Sequence, residues 1–429
     1  MTTHAHLSPR AAVLVWAFLV SATLGSAWLA EHHAFAGSLT AGLASQALAS
    51  APGGIPASFA LEAGATPSYG ATREITAYAA LVHTTYERAA ADARLMQTAI
   101  SAFLANPTEA NLAAARKAWL AARPAYLQTE AFRFYQGPID FSDPATGKEG
   151  PEGRLNAWPL NEAFIDYVQG NDKAGLVNDM SVEITPDSIR SHDQQTDESD
   201  VTTGWHAIEF LLWGQDLSAD GPGARPASDY APGDPVHARR AQYLHAVTEM
   251  LVDDLVWLSA QWDTRLPKVY VQSFLELDQK EALGRILTGM AVLSGFELAS
   301  ERMSVALDSG DQEDEQSCFS DNTKADFVND QQGIANIWFG VSGDEKFAGL
   351  QGLASRVDPE LEKKLTARIN ETTAAIDAIP GPIDRLLATP RGSPQRAKME
   401  KAVLLLAEQA DLFQSLGKKL GLKIDVSSE

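Results

Sequence analysis

Apolar residues recur every three or four positions along most of the chain from residue 71 onward, which is the period of an amphipathic α-helix. The first such segment spans residues 71–106, and its apolar face carries Ile75, Tyr78, Leu81, Val82, Tyr86 and Ala89. The same pattern predicts helices at residues 108–135, 158–168, 202–214, 236–262, 280–307, 329–339, 358–379 and 396–420. No segment shows the strict alternation of a β-strand in strength. The pattern therefore predicts an all-α fold of two packed antiparallel helix-bundle domains.

Changes in composition mark the predicted boundaries. Residues 37–70 are rich in Ala, Gly, Ser and Pro and carry little charge, so we predict a flexible spacer. Residues 217–235 form a Gly-, Pro- and Asp-rich loop that is long enough to separate two domains. We therefore predict one helical-bundle domain at residues 71–220 and a second at residues 221–429.

Residues 1–36 have the pattern of an export signal. Arg10 supplies a positive charge, residues 11–24 are almost entirely apolar, and residues 34–36 are a candidate Ala-Phe-Ala cleavage site. Residues 11–30 are also just long enough for an uncleaved membrane anchor. We favour cleavage, and both alternatives predict that the bulk of the chain lies outside the cytoplasm, in the periplasm or cell envelope.

Charge and cysteine content narrow the possible chemistry. The net charge is −22, with 34 basic and 56 acidic residues, which argues against nucleic acid as a partner and suits a protein that collects cations. The single cysteine, Cys318, excludes an intrachain disulfide and a thiolate-rich metal site. Any bound metal must therefore use nitrogen and oxygen ligands.

The segment 202–214 carries the strongest candidate chemistry. His206 and Glu209 lie on one helical face, and the surrounding positions are Trp205, Ile208, Phe210, Leu211, Leu212 and Trp213. A helix that is apolar nearly all round is normally buried, so Glu209 needs a partner. His206, an arginine from another helix, or a metal ion could fill that role. The zincin signature His-Glu-x-x-His is absent, and Phe210 after Glu209 replaces the second histidine of the inverted form, so the spacing leaves these alternatives open.

A polar stripe runs through the predicted helix 108–135. Arg123, Tyr126, Glu130 and Arg133 follow one another at spacings of three, four and three, opposite Trp119, Leu127, Ala131 and Phe134. Such stripes are usually solvated faces with salt bridges, although Tyr126 fits water poorly. The predicted helix 280–307 places Ser294, Glu297 and Glu301 on one face in a similar way.

Residues 308–322 form an acidic loop with a superficial likeness to a calcium-binding loop. Counted from Asp311, position six is Gln316, where an EF-hand requires glycine. We therefore predict a polar surface turn.

Several short motifs together indicate a family. The chain resembles the imelysin-like family of exported bacterial proteins, which includes iron-regulated proteins and a reported insulin-cleaving peptidase. The resemblance covers most of the chain from about residue 71, and its most specific part is the Gly-x-His-x-x-Glu motif. The motifs that carry it are Gly204-Trp205-His206-Ala207-Ile208-Glu209, Gln128-Thr129-Glu130-Ala131-Phe132-Arg133-Phe134, Gly137-Pro138-Ile139-Asp140, Gln312-Glu313-Asp314-Glu315 and Ser317-Cys318-Phe319-Ser320-Asp321-Asn322-Thr323.

The resemblance implies a two-domain helical protein with the His-x-x-Glu helix at the domain interface. It implies that His206 and Glu209 are metal ligands, with Glu130 as a further carboxylate and iron or zinc as the metal. The other candidate site residues are Arg133, Tyr126, Ser294 and Glu297. The chain departs from the family pattern at Gln316, where that pattern has a histidine after Glu-Asp-Glu.

Three functions follow as hypotheses. The first is a metal-binding protein of iron uptake, with a metal ion or small ligand and other exported or outer-membrane iron-uptake components as partners. The second is a zinc-dependent metallopeptidase, in which Glu130 or Glu297 would be the general base if Glu209 binds the metal. The third is a non-catalytic binding module in which these buried side chains join the two bundles. We rank the first above the others.

Overall fold

The computed structural model describes residues 70–218, 220–424 and 426. The predicted signal peptide, and the predicted spacer apart from Gly70, lie outside these residues. Helices α1 to α16 span, in order, Thr72–Ala105, Glu109–Leu127, Glu152–Asn156, Glu162–Ile165, Gly175–Asn178, Pro186–His192, Gly204–Trp213, Pro235–Gln261, Tyr270–Glu276, Gln279–Val292, Val305–Ser309, Thr323–Phe339, Leu350–Val357, Pro359–Asp377, Ile383–Leu387 and Arg396–Lys419.

The other regular elements are short, apart from one π-helix of 12 residues. A π-helix at Leu293–Ser304 joins α10 to α11. Two hairpins of two-residue strands pair β1 with β2 and β3 with β4, at Ser142–Asp143, Lys148–Glu149, Val341–Ser342 and Glu345–Lys346. Single 3₁₀ turns lie at Glu130–Phe132, Ala227–Tyr230, Gln312–Asp314 and Cys318–Ser320. The predicted all-α fold is confirmed.

The helices of the described chain pack in two groups. In the first, α1 packs along α2 and α8, and α7 lies against α2, α3 and α8. The apolar face predicted for the first helix is buried in this group, as expected from its periodicity. In the second group, α16 packs against α14, α10 and the π-helix. The groups meet where α12 packs on α2 and where α10 packs on the turn Glu130–Phe132.

The predicted boundary at residues 220/221 stays a prediction. The described residues belong to one compact unit. Helix α8 follows the predicted boundary in the chain but packs against α1, which precedes it.

The predicted helix 108–135 is wrong in its last turns, because α2 ends at Leu127. Pro124 has no N–H to continue the hydrogen-bond ladder, and the Thr129 hydroxyl donates to the Tyr126 carbonyl at 2.6 Å. Arg133 is extended, with φ −104° and ψ −177°. The four residues of the predicted polar stripe therefore do not share one helical face.

The predicted helix 280–307 is an α-helix only at its two ends. Between them the π-helix widens the turn, so that residues five apart come together. This geometry pairs Glu297 Oε1 with Arg302 Nη2 at 2.9 Å and the Ser304 hydroxyl with the Ala299 carbonyl at 2.7 Å. The wider turn thus sets which charged groups of this segment meet.

Other predicted bounds differ by smaller amounts. The predicted helix 158–168 forms only at Glu162–Ile165, and α12 begins at Thr323 rather than at residue 329. In the described part of the chain, one continuous helical stretch, Gln279–Ser309, is long and apolar enough to cross a bilayer. However, 78% of its most apolar window is buried inside the protein, and the core helix of a folded domain has the same length and composition.

Gly289 of α10 allows the contact between the two groups of helices. A Cβ at this position would lie 2.4 Å from the Ala131 carbonyl oxygen and 3.0 Å from that of Arg133. These backbone atoms cannot move without shifting the turn Glu130–Phe132. We expect Gly289→Ala to lower the free energy of unfolding in urea by about 1–3 kcal/mol, the usual effect of overpacking.

Gly284→Ala is the matched control, because a Cβ there would have no heavy atom within 4 Å. We expect this change in the same helix to raise the free energy of unfolding by about 0.5–1 kcal/mol. Equal stability of the two variants would contradict the proposed contact.

Candidate functional site

Helix α7 lies inside the protein and carries His206 and Glu209. All ten of its residues are buried, as the sequence predicts. Gly214 ends the helix with φ +73°, whereas the Thr203 hydroxyl donates to the Arg154 carbonyl at 2.9 Å instead of capping the helix. Gly204 lets α7 approach α3 closely, because a Cβ there would lie 2.4 Å from the Leu155 carbonyl oxygen. This close approach explains the glycine of the motif.

His206 and Glu209 bind each other. His206 Nδ1 lies 2.9 Å from Glu209 Oε2. The other carboxylate oxygen accepts hydrogen bonds from the Ser320 backbone N–H at 3.0 Å and from its hydroxyl at 2.6 Å. Both side chains are fully buried, so water does not reach either of them.

Arg123 occupies the second nitrogen of His206. Its Nη2 lies 3.3 Å from His206 Nε2 and 2.9 Å from Asp326 Oδ2, and its Nη1 donates to Asn156 Oδ1 at 2.7 Å. A guanidinium is always a donor, so Nε2 must accept and the imidazole proton must sit on Nδ1, facing Glu209. Burial, and then the charges of Arg123 and Arg302, hold the pKa of His206 well below its usual value.

Glu130 lies between two other arginines. Its Oε2 accepts from Arg133 Nη1 and from Arg302 Nη2, both at 2.6 Å. Burial alone would raise the pKa of Glu130, but the two guanidinium groups outweigh burial and lower it to about 2. Arg302 also binds Asp330 at 2.8 Å and Glu297 at 2.9 Å. Glu130 is therefore a permanently ionised bridge between cations.

Asn156 connects the two clusters. Its Oδ1 accepts from Arg123, and its Nδ2 lies 3.5 Å from Glu130 Oε1. The structure thus brings together His206 with Glu209, and Glu130 with Arg133 and Glu297, without a direct contact between the two sets. The assignment of His206, Glu209 and Glu130 as metal ligands stays a prediction.

The two remaining candidates, Tyr126 and Ser294, are bound by neither Glu209 nor Glu130. The Tyr126 ring lies 5.9 Å from the Arg123 guanidinium, and its buried hydroxyl has no hydrogen-bond partner among the described residues. Ser294 belongs to a different buried set, in which its hydroxyl donates to the Leu406 carbonyl at 2.7 Å and accepts from Gln409. Ser294 therefore does not take part in either charged cluster.

The prediction of a polar surface turn at residues 308–322 is wrong for its second half. Residues from Glu315 to Ser320 are buried, and Phe319 packs against Phe210 with ring centroids 5.3 Å apart. This aromatic contact draws the loop inward and places Ser320 on Glu209. Gln316, at the position of the departure from the family pattern, is buried with it.

Sequence reasoning missed several members of the network: Asn156, Arg302, Ser320, Asp326 and Asp330. Asp326 and Asp330 had a detectable signal, since they lie one helical turn apart among apolar residues of α12. Asn156 had none, because it ends the short helix α3, whose position depends on the tertiary fold.

The donor types suit a metal, but their placement does not. Imidazole and carboxylate groups are ordinary iron and zinc ligands. Here one nitrogen of His206 faces Glu209 and the other faces a guanidinium, while Glu130 is held by two more guanidinium groups. As placed, the three predicted ligands do not form a ready cation site.

Removing one charge of this network should be costly. Asp326→Asn leaves the fully buried Arg123 without its charged partner, so we expect the free energy of unfolding in urea to fall by about 3–5 kcal/mol. Glu360→Gln breaks an exposed ion pair with Lys363 and should leave the unfolding midpoint unchanged. A similarly small effect of both changes would contradict the role assigned to Arg123.

Glu209 should make stability depend on pH. Burial raises its pKa to about 8, against the bonds from Ser320, whereas an unfolded glutamate titrates at about 4.3. Its contribution is therefore complete below the unfolded pKa and is lost as pH rises towards 8. Glu209→Gln cannot titrate, so its stability relative to the parent should improve between pH 5 and 8, by at most about 1.4 kcal/mol per pH unit.

Urea unfolding of both proteins at several pH values measures this difference, and His206 is present in both, so its own titration largely cancels. A difference that stays constant over this range would contradict the shifted pKa.

Comparison with known proteins shows the family. A model of the Imelysin family (peptidase M75) matches residues 82–413. Iron-regulated protein A of Synechococcus elongatus is 28% identical over 316 residues, which are 72% of this chain and 75% of that protein.

Two solved structures share the fold. A putative iron-regulated protein A precursor from Parabacteroides distasonis has a TM-score of 0.61 at 19% identity, covering 83% of this chain and 98% of that one. An imelysin-like protein from Psychrobacter arcticum has a TM-score of 0.59 at 15% identity, covering 84% and 99%. The match of the family model, together with the Gly-x-His-x-x-Glu motif on a buried helix, shows that the chain belongs to the imelysin family.

Proposed function

We propose that this chain is an exported, non-catalytic binding protein of the cell envelope that serves iron acquisition. The link to iron is supported by the similarity to a protein named for its regulation by iron. Export is supported by the leader-like pattern of residues 1–36. The observation that carries the non-catalytic part is the closed, fully buried His206–Glu209 pair.

A metallopeptidase needs a metal with an open coordination position and a water molecule beside a base. Neither His206 nor Glu209 is exposed, and the lone pairs of both are engaged by Arg123 and Ser320. Glu130 is a poor general base, because its pKa of about 2 is far below neutral pH, whereas an effective general base has a pKa near the pH at which the enzyme works. The described arrangement therefore favours binding over peptide hydrolysis.

The buried network instead holds six elements in fixed positions. Arg123 of α2 connects α3, α7 and α12, and Arg302 of the π-helix connects Glu130 with α12. A net charge of −22 makes the surface suited to cationic ligands or to basic surfaces of envelope partners. The proposed partners are a metal ion or small ligand and other iron-uptake components.

Metal binding by His206 and Glu209 is the second candidate function. The lowered pKa of His206 keeps its imidazole neutral, which is the form that binds metals. Carboxylates also outnumber arginines in the network. Arg123 is the group that would compete with a metal ion for the ring nitrogen.

Purified protein separates these alternatives. We expect no chelator-sensitive cleavage of unfolded casein or insulin, and the same uptake of Fe²⁺ and Zn²⁺ by the parent and by a His206→Ala, Glu209→Ala variant.

A deletion strain tests the role in iron acquisition. We expect deletion of the gene to slow growth under iron limitation and to leave growth in iron-replete medium unchanged.

Each contrary result has its own meaning. Cleavage that EDTA stops and Glu209→Gln abolishes would favour the metallopeptidase. An ion bound by the parent and lost in the double variant would favour the second candidate. Unchanged growth of the deletion strain under iron limitation would contradict the role in iron acquisition.

A further inference from the structure

Three aspartates from distant parts of the chain meet outside the His206–Glu209 network. Asp216 follows α7, Asp321 follows the turn Cys318–Ser320, and Asp384 lies in α15. One carboxylate oxygen from each lies within 4.8 Å of the other two. Asp216 and Asp384 are only 3% and 4% exposed. Burial of two such groups at one point requires compensation of their charge.

The described side chains supply only part of that compensation, because the charge of Arg385 acts on Asp384 and Asp321 without an ion pair to either of them. Both carboxylate oxygens of Asp384 are buried without a hydrogen-bond partner among the described residues, and so is Oε1 of Glu315, a residue 1% exposed. The backbone N–H groups of Asp384 and Arg385 lie near this carboxylate without the geometry of a full hydrogen bond, and the positive charge of Arg385 also acts on it. The Arg385 guanidinium donates to the Asp220 carbonyl instead, at 3.0 Å.

The surroundings add negative charge. Glu313 and Glu315 lie close enough for their charges to act on the group formed by Asp216, Asp321 and Asp384. Collecting so many carboxylates at one point leaves their charge to be neutralised by protons or by a cation.

We propose that Asp216, Asp321 and Asp384, with Glu315 beside them, bind a hard divalent cation, and that this cation is calcium. A donor set made only of oxygen atoms suits hard cations. Two oxygens on one calcium ion, each at 2.3–2.6 Å, lie at most about 5.2 Å apart, whereas magnesium limits this separation to about 4.2 Å. The three oxygens lie at most 4.8 Å from one another, which is less than the separation of about 5.2 Å that two ligands of one calcium ion can reach.

A route to solvent exists on one side. Asp321 is half-buried and lines an open cleft of about 580 Å³ together with Asn322 and Pro382. The site is not a contiguous calcium loop, since its ligands come from three separated segments. Because Asp321 follows Ser320, a cation here would also fix the segment that donates to Glu209.

The test uses the full exported chain, stripped with EDTA. Titration calorimetry with CaCl₂ should show one site, and calcium should raise the thermal unfolding midpoint. Asp384→Asn should weaken calcium binding at least tenfold. In EDTA this variant should be at least as stable as the parent, because it removes a buried, unpaired charge.

Asp220→Asn is the matched control, since Asp220 is a nearby aspartate whose side chain is 94% exposed, and it should bind calcium like the parent. Calcium binding by the purified chain is measured independently of growth under iron limitation, which separates this proposal from the function proposed above. If Asp384→Asn does not fold, Asp321→Asn takes its place. No calcium binding below 10 mM, unchanged binding in the aspartate variants, or tighter binding of Mg²⁺ than of Ca²⁺ would overturn the proposal.

Discussion

The arrangement of this site depends on the burial of one guanidinium group. Arg123 is fully buried, and its positive charge requires Asp326 on one side and neutral acceptors on the other. Asn156 and His206 are those acceptors, and the guanidinium also lies 5.7 Å from the centroid of the Trp205 ring. Because these partners belong to α3, α7 and α12, the position of one side chain orients three helices around α2.

The chemistry of the His-x-x-Glu motif follows from that constraint. A permanent donor at Nε2 determines the tautomer of His206, and the tautomer determines that Nδ1 donates to Glu209. Glu209 can then stay buried only because Ser320 satisfies its other oxygen. The motif thus acts here as part of a specific polar network, whose worth lies in the geometry it selects more than in net stability.

Ser320 and Asp321 are neighbours in one loop, and each lies beside buried carboxylates whose burial is compensated differently. Ser320 gives Glu209 two protein donors, whereas Asp321 joins Asp384 and Asp216 without any donor for Asp384. These hydrogen bonds offset part of the cost of burying Glu209, whose pKa is still raised to about 8. A group of three must bind protons or a cation, since hydroxyl and amide groups do not neutralise three charges at one point. A third carboxylate, Glu297, is compensated by an ion pair, because the wider turn of the π-helix places Arg302 beside it.

The sequence by itself determined the features that depend on local periodicity. It predicted the all-α fold, the buried face of α1, the burial of His206 and Glu209, and the end of α7 at Gly214, since all of these follow from the spacing of apolar residues and from glycine. Only the tertiary structure decided which charges pair, because Arg123 and Asp326 are 203 residues apart. It also drew the loop of Ser320 inward through the contact of Phe319 with Phe210. These outcomes depend on long-range contacts, whose partners a helical period does not specify.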